Sequence, residues 1–173
     1  MLSRAANKYA DKPYLSTKGD QGWIRTSFSE AEKKARTLAC AFVETGLKKG
    51  DKVAILSEAK TDWIVTEFGA LFAGGILVPL SIKILPEEVP FRVNHSDATL
   101  FAVSENTLEK VISQWNKYEN KALKLIVLDR PSDKIKDICQ QHGFDARQLL
   151  FINDLYKLGE ANIQEHGPVV EEL

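Results

Sequence analysis

The stretch Gly69-Ala-Leu-Phe-Ala-Gly-Gly-Ile-Leu-Val-Pro-Leu80 constrains the fold more than any other part of the chain. Ahead of it stand Gly50-Asp51-Lys52-Val53-Ala54-Ile55-Leu56 and then Trp63. Together they read as a strand, a turn, an almost wholly apolar helix, a glycine stop and a second strand. A helix apolar on most of its sides is a buried one. Strands on either side of such a helix form the βαβ unit of a parallel sheet. The apolar run from Gly69 to Ile82 is too short to span a bilayer and contains Pro79, so it reads as core.

The same alternation continues along the chain. Val53 to Ser57 reads as a strand and Asp62 to Ala73 as a helix, with Thr61 as its N-cap. Ile76 to Leu80 is apolar on both faces, as a strand buried within a parallel sheet should be. A short helix follows near Glu87 to Asn94, restricted by Pro90. Then come a strand at Thr99 to Val103, a helix at Thr107 to Tyr118, a strand at Lys124 to Leu128 and a helix at Ser132 to His142. A weak strand at Leu149 to Ile152 precedes a helix near Asp154 to Ala161.

Upstream, residues 4–10 form a short helix. Tyr14 to Thr17 and Trp23 to Thr26 form strands around Lys18-Gly19-Asp20-Gln21-Gly22, a spacing that suits a hairpin. Ser29-Glu30-Ala31-Glu32 has the pattern of a capping box. The helix it opens carries Ala31, Ala35, Leu38, Ala39, Phe42 and Val43 on one face and stops at Gly46. The expected architecture is one α/β domain over residues 1–173. Its mostly parallel sheet has helices on both faces, and a short hairpin precedes it. Gly167 to Leu173 carries no cap or stop, and reads as a break inside a longer protein.

With 173 residues and 44 % apolar composition, the chain can bury a substantial core. Its net charge of −1 supplies no bulk field for nucleic acid or anionic lipid. Trp23, Trp63 and Trp115 are not interleaved with basic residues, which argues against a base-stacking platform. Cys40 and Cys139 belong to no CxxC or Cys/His pattern and suit a reduced, cytoplasmic protein. The N-terminal Met1-Leu-Ser-Arg-Ala-Ala-Asn-Lys lacks the apolar core of a secretory signal.

Candidate chemistry is sparse. Gly69, Gly74 and Gly75 match neither phosphate-loop pattern, and they lie inside and after a helix, whereas a phosphate cradle precedes one. They read as close packing and a C-cap. His95, His142 and His166 are single and far apart. Ser57-Glu58-Ala59-Lys60 follows the carboxyl end of a strand, where open α/β sheets place ligands, although helix entry also accounts for it. No metal-ligand spacing occurs. The residues by themselves establish an α/β domain and no reaction.

Six elements in order resemble the opening of the adenylate-forming (AMP-binding) acyl-CoA synthetases. They are Phe28-Ser-Glu-Ala, Gly50-Asp51-Lys52-Val53, Asp62-Trp63, Ala73-Gly74-Gly75 with Val78-Pro79-Leu80, Pro86-Glu87-Glu88, and Asn94-His95-Ser96-Asp97-Ala98. The wording is most similar to the long-chain fatty-acid–CoA ligases, and the likeness runs from about Tyr9 to Val111. The chain departs from the family at Ala59 and Thr61, where Asn and Pro are usual. The family's Ser/Thr/Gly-rich loop ending in Pro-Lys-Gly does not occur, nor do its later motifs.

The resemblance implies the N-terminal part of a two-step ligase. Such an enzyme joins a fatty carboxylate to AMP, releases pyrophosphate, and passes the acyl group to the CoA thiol. ATP, Mg2+ and CoA are cofactors implied for the parent, with none expected on this part, which is expected to be inactive alone. No catalytic or metal residue is assigned. Ser81 and Lys83, after the Val-Pro-Leu strand, are the candidates for facing the CoA channel or the rest of the enzyme. The implied partners are the remainder of the parent chain, a fatty acid for the parent, and a second copy through the uncovered face. The implied location is cytoplasmic, with peripheral membrane association of the parent left open. The alternative is a free-standing α/β module that binds a small ligand or regulates.

Overall fold

The sheet is built from five short apolar strands: β3 (Lys52–Leu56), β4 (Ile76–Pro79), β5 (Ala98–Val103), β6 (Lys124–Val127) and β7 (Leu149–Phe151). All pair in parallel, in the order β4-β3-β5-β6-β7. Registers such as Ala54 opposite Val78 and Phe101, and Ala102 opposite Ile126, hold the strand centres level. A separate antiparallel hairpin, β1 (Pro13–Gly19) and β2 (Gly22–Ser27), precedes the sheet. This computed structural model describes residues 1–19 and 22–172, so the turn expected at Asp20-Gln21 lies outside the described residues.

Alternation along each strand divides the core in two. Val53, Ile55, Leu100, Ala102 and Ile126 face one side, where α1 (Leu2–Tyr9), α2 (Phe28–Glu44), α3 (Thr61–Phe72), α7 (Ile152–Ala161) and α8 (Ile163–Glu172) pack. Ala54, Leu56, Phe101, Val103, Leu125 and Val127 face the other, under α4 (Val89–His95), α5 (Glu105–Ile112) and α6 (Asp133–Gln141). The result is three layers, helix–sheet–helix. Among the described residues, no helix is long and apolar enough to cross a membrane.

Helix α3 ends as the glycines require. Gly74 takes φ +75°, its N–H donates to Leu71 O at 3.0 Å, and Gly75 N–H donates to Ala70 O at 2.8 Å. This is a Schellman stop. Gly69 lets α3 approach α2, since a Cβ there would lie 3.0 Å from Leu38 Cβ.

Several sequence expectations are corrected. Strand β4 is an edge strand, and Ile76 is 51 % exposed. The α3 crossover carries the chain outward from β3, and the next one returns across β3 to β5, which leaves β4 with one neighbour. Pro79, lacking an N–H, suits that edge. The capping box at α2 belongs to Ser27 and Glu30, one register earlier than Ser29 and Glu32. Glu30 N–H donates to Ser27 Oγ at 3.2 Å, and Ser27 N–H donates to Glu30 Oε2 at 2.7 Å. Thr61 does not cap α3: Lys60 holds that position without a side-chain bond, and the Thr61 hydroxyl pairs with Thr17 Oγ1 at 2.7 Å. The helix expected over Thr107–Tyr118 is α5 followed by a separate 3-10 turn at Trp115–Lys117. Ile152 opens α7 instead of closing β7, and α8 was not anticipated.

Candidate functional site

Strand β3 connects outward to β4, and the chain then returns to β5 on the other side of β3. The β3–β5 boundary is therefore the point where strand order reverses, and ligands in open α/β sheets bind beyond the carboxyl ends there. The loop after β3 brings Ser57, Glu58, Ala59 and Lys60 to this rim. The end of β5 brings Ser104, and the start of α5 brings Glu105 and Asn106.

Glu58 is the hub. Its Oε2 accepts from Ser104 Oγ at 2.6 Å, and its Oε1 accepts from Asn106 Nδ2 at 3.1 Å. Lys60 Nζ lies 3.6 Å from Glu58 Oε1 and donates to Asp129 Oδ1, just beyond β6, at 2.6 Å. Asp129 Oδ2 accepts the Glu105 N–H at 2.7 Å, occupying one of the free donors at the start of α5. Thr107 Oγ1 donates to Leu56 O at 2.6 Å and closes the network over the sheet. Burial pushes the Glu58 carboxyl upward. Bonds from Ser104, its own backbone and Asn106, together with the Lys60 charge, outweigh that and hold it below the ordinary range.

This rim is braced. Every carboxylate oxygen of Glu58 and Asp129 has a partner, and among the described residues no histidine hydrogen-bonds to Ser57 or Ser104 to activate a hydroxyl. The arrangement fixes three strand-end loops relative to one another, and so presents a rigid floor to whatever lies above it.

Ser81 and Lys83 lie exposed on the loop after β4. Lys83 N–H donates to Ser81 Oγ at 3.3 Å. Among the described residues, neither side chain hydrogen-bonds to the Glu58 network. Their loop is held from below by Lys110 in α5, whose Nζ donates to Ile82 O at 2.7 Å and Ile84 O at 3.0 Å. The histidines stay apart: His95 stacks on Phe91, His142 faces Glu109 at 3.4 Å, and His166 faces Glu44 at 2.8 Å. Cys40 and Cys139 are free and buried, and burial pushes both thiols up. Among the described residues, no three His, Cys, Asp or Glu side chains converge to hold a metal.

Sequence reasoning found Glu58 and Lys60 but missed Ser104, Asn106, Asp129 and Lys110. The available signal was polar residues directly after each apolar strand, at Ser57-Glu58, Ser104-Glu105-Asn106 and Asp129.

Comparison with known proteins gives a consistent picture. The family described as AMP-binding enzyme matches residues 2–163. Fatty acyl-CoA synthetase A of Dictyostelium discoideum is 28 % identical over 181 aligned residues, covering 96 % of this chain and 25 % of that protein. The long-chain-fatty-acid–CoA ligase of Salmonella typhimurium is 30 % identical over 139 residues, 78 % of this chain and 23 % of its own length. The chain thus spans about a quarter of the curated relatives it matches. Among solved structures, the adenylation domain of a carboxylate reductase from Mycobacterium chelonae superposes with a TM-score of 0.74 at 21 % identity. That match covers 91 % of this chain and 28 % of the other. A putative long-chain-fatty-acid CoA ligase from Rhodopseudomonas palustris gives 0.72 at 18 %, covering 89 % and 34 %.

Proposed function

The chain belongs to the AMP-binding enzyme family, and on that premise we propose that it forms the N-terminal part of an ATP-dependent long-chain fatty-acid–CoA ligase. The match over residues 2–163 carries this reading, supported by relatives named as fatty acyl-CoA synthetases and long-chain-fatty-acid–CoA ligases. In the proposed parent, a fatty carboxylate attacks the α-phosphorus of ATP, pyrophosphate leaves, and the CoA thiol then displaces AMP from the acyl group.

The residues described here do not fit the ATP phosphates or magnesium. Gly69, Gly74 and Gly75 pack and stop α3 and do not precede a helix. No convergent carboxylates form a metal site among the described residues. Both groups are therefore assigned to the rest of the parent, and no chemical step is derived for this chain. Its part is architectural: the braced rim around Glu58 supports the face on which the remaining enzyme rests. Ser81 and Lys83, exposed on the tethered loop after β4, are the residues proposed to face the CoA channel or the adjoining part of the enzyme. The isolated chain is inactive and self-associates through its uncovered edge.

Two measurements test this. ATP–pyrophosphate exchange with a fatty acid, run on the 173-residue chain, is expected at background, and clear turnover would overturn the assignment of chemistry elsewhere. The reading frame beyond Leu173 is expected to encode a Ser/Thr/Gly-rich loop ending in Pro-Lys-Gly. A stop codon or an unrelated sequence there would sink the ligase reading.

A further inference from the structure

A cavity of about 430 Å3 lies between the β1–β2 hairpin and the body of the domain, beside the Glu58 network. Its size falls within the range of small-molecule sites. The first two residues of α3, Thr61 and Asp62, line it, as do the first two of α7, Ile152 and Asn153. Neither helix has a side-chain N-cap, because the cap positions are Lys60 and Phe151. Their first-turn N–H groups are thus without the partner a Ser or Asp would supply, and both helices begin at the cavity with their positive ends.

Three side chains add donors. Thr26 is 5 % exposed and lines the cavity, and its hydroxyl has no hydrogen-bond partner among the described residues. That hydroxyl opens on the cavity and can donate to a group bound there. Lys34 from α2 and Arg130 from beyond β6 stand at the wall, and neither makes a salt bridge among the described residues. The single carboxylate present, Asp62, accepts a bond from Tyr156 Oη at 3.1 Å. Burial, with the nearby Asp129 charge, pushes the Asp62 carboxyl up, against the Tyr156 bond and the Lys34 and Lys60 charges.

We propose that this cavity binds the oxyanion group, phosphate or carboxylate, of a small molecule, with Lys34 and Arg130 meeting the charge and Thr26 donating a hydrogen bond. The helix starts of α3 and α7 complete the cradle. The site adjoins the strand-end rim, since Thr61 and Arg130 flank Lys60 and Asp129, and it does not rest on the ligase reading.

Titration of the isotope-labelled 173-residue chain, followed by amide NMR shifts, tests the proposal with inorganic phosphate in one arm and acetate in the other. Saturable shifts confined to residues 26, 61, 62, 152 and 153, with a dissociation constant below about 10 mM, are expected in at least one arm. The responding arm identifies the ligand class. The double variant Lys34→Ala/Arg130→Ala is expected to weaken binding about tenfold or more. Both side chains are exposed, so the variant keeps a dispersed spectrum. Thr26→Val is expected to weaken binding severalfold. No saturable shift in either arm, or equal affinity in the double variant, would overturn the proposal.

Discussion

Gly159 in α7 lies so close to Thr37 in α2 that a Cβ placed on it would stand 1.9 Å from the Thr37 carbonyl oxygen. The obstacle is backbone, which cannot rotate away as a side-chain tip could. Thr37 is itself buried and turns its hydroxyl back to Lys33 O at 3.0 Å, leaving this helix face smooth. Gly159→Ala is expected to destabilise the domain by about 3 kcal/mol, at the upper end of overpacking effects. Gly69→Ala meets Leu38 Cβ at 3.0 Å and Ala35 O at 3.3 Å, so its cost is smaller. Urea midpoints rank the two, and a mild Gly159→Ala would mean that α7 does not seat on α2 as described.

Ser27→Ala removes the acceptor for Glu30 N–H at the start of α2 and is expected to cost about 1 kcal/mol. Ser29 stands inside the first turn and makes no capping bond, so Ser29→Ala is expected to be close to neutral. The reverse ranking in urea would place the helix start at Ser29.

The βαβ alternation made most of the fold legible, because a strand's apolar run and a helix's longer period differ over even one turn. What was not legible depended on tertiary choices. Ile76 to Pro79 has the composition of an interior strand, and only the direction of the α3 crossover makes it an edge. Ser27 and Ser29 both have a glutamate three residues on, so the sequence offers two caps, and the hairpin's exit into α2 selects the first. Gly159 lies inside α7, and only the seat of α2 against it shows why no side chain fits there. The Glu58 network was half visible, since its members come from three loops spread over 73 residues, from Ser57 to Asp129. Their meeting follows from strand order, which no local pattern encodes.

Glu58 and Asp62 act on acid stability with opposite signs. Glu58's folded value is depressed, so the stability it contributes is present above its unfolded value of about 4.3 and is lost as pH falls through the folded value. Asp62's folded value is raised, so its charged form opposes folding above that value, and the opposition is relieved as pH falls toward the unfolded value of about 3.9. Glu58→Gln is therefore expected to flatten the loss of stability between neutral pH and about pH 3.5, and Asp62→Asn to steepen it. Urea midpoints across that window check both slopes. Parallel profiles for the two variants would contradict the assignment.

Lys110 holds the loop carrying Ser81 and Lys83 through the Ile82 and Ile84 carbonyls. Lys110→Met keeps the stem and removes the donors. It is expected to lower stability by about 1–2 kcal/mol, less than a fully buried charged bond because the tie is partly exposed. Amide exchange of residues 81–85 should quicken more than that of β5. Uniform protection across both segments would show that the loop is held by other contacts.

Edge strand β4 offers unpaired backbone groups on one side, and beside it Leu71 and Ile76 expose about half of their surface. An apolar, unguarded edge pairs with what it meets. The isolated chain is accordingly expected to self-associate, since each 100 Å2 of apolar area re-buried contributes roughly 2.5 kcal/mol before the cost of association. Ile76→Lys places a charge on the edge without touching the core, and is expected to shift the chain toward monomer. Sedimentation over a concentration series, with a dye that reports exposed apolar surface, reads both effects. A strict monomer that binds no dye would mean that β4 needs no cover, and the reading of this edge as the surface facing the rest of a larger enzyme would fall with it.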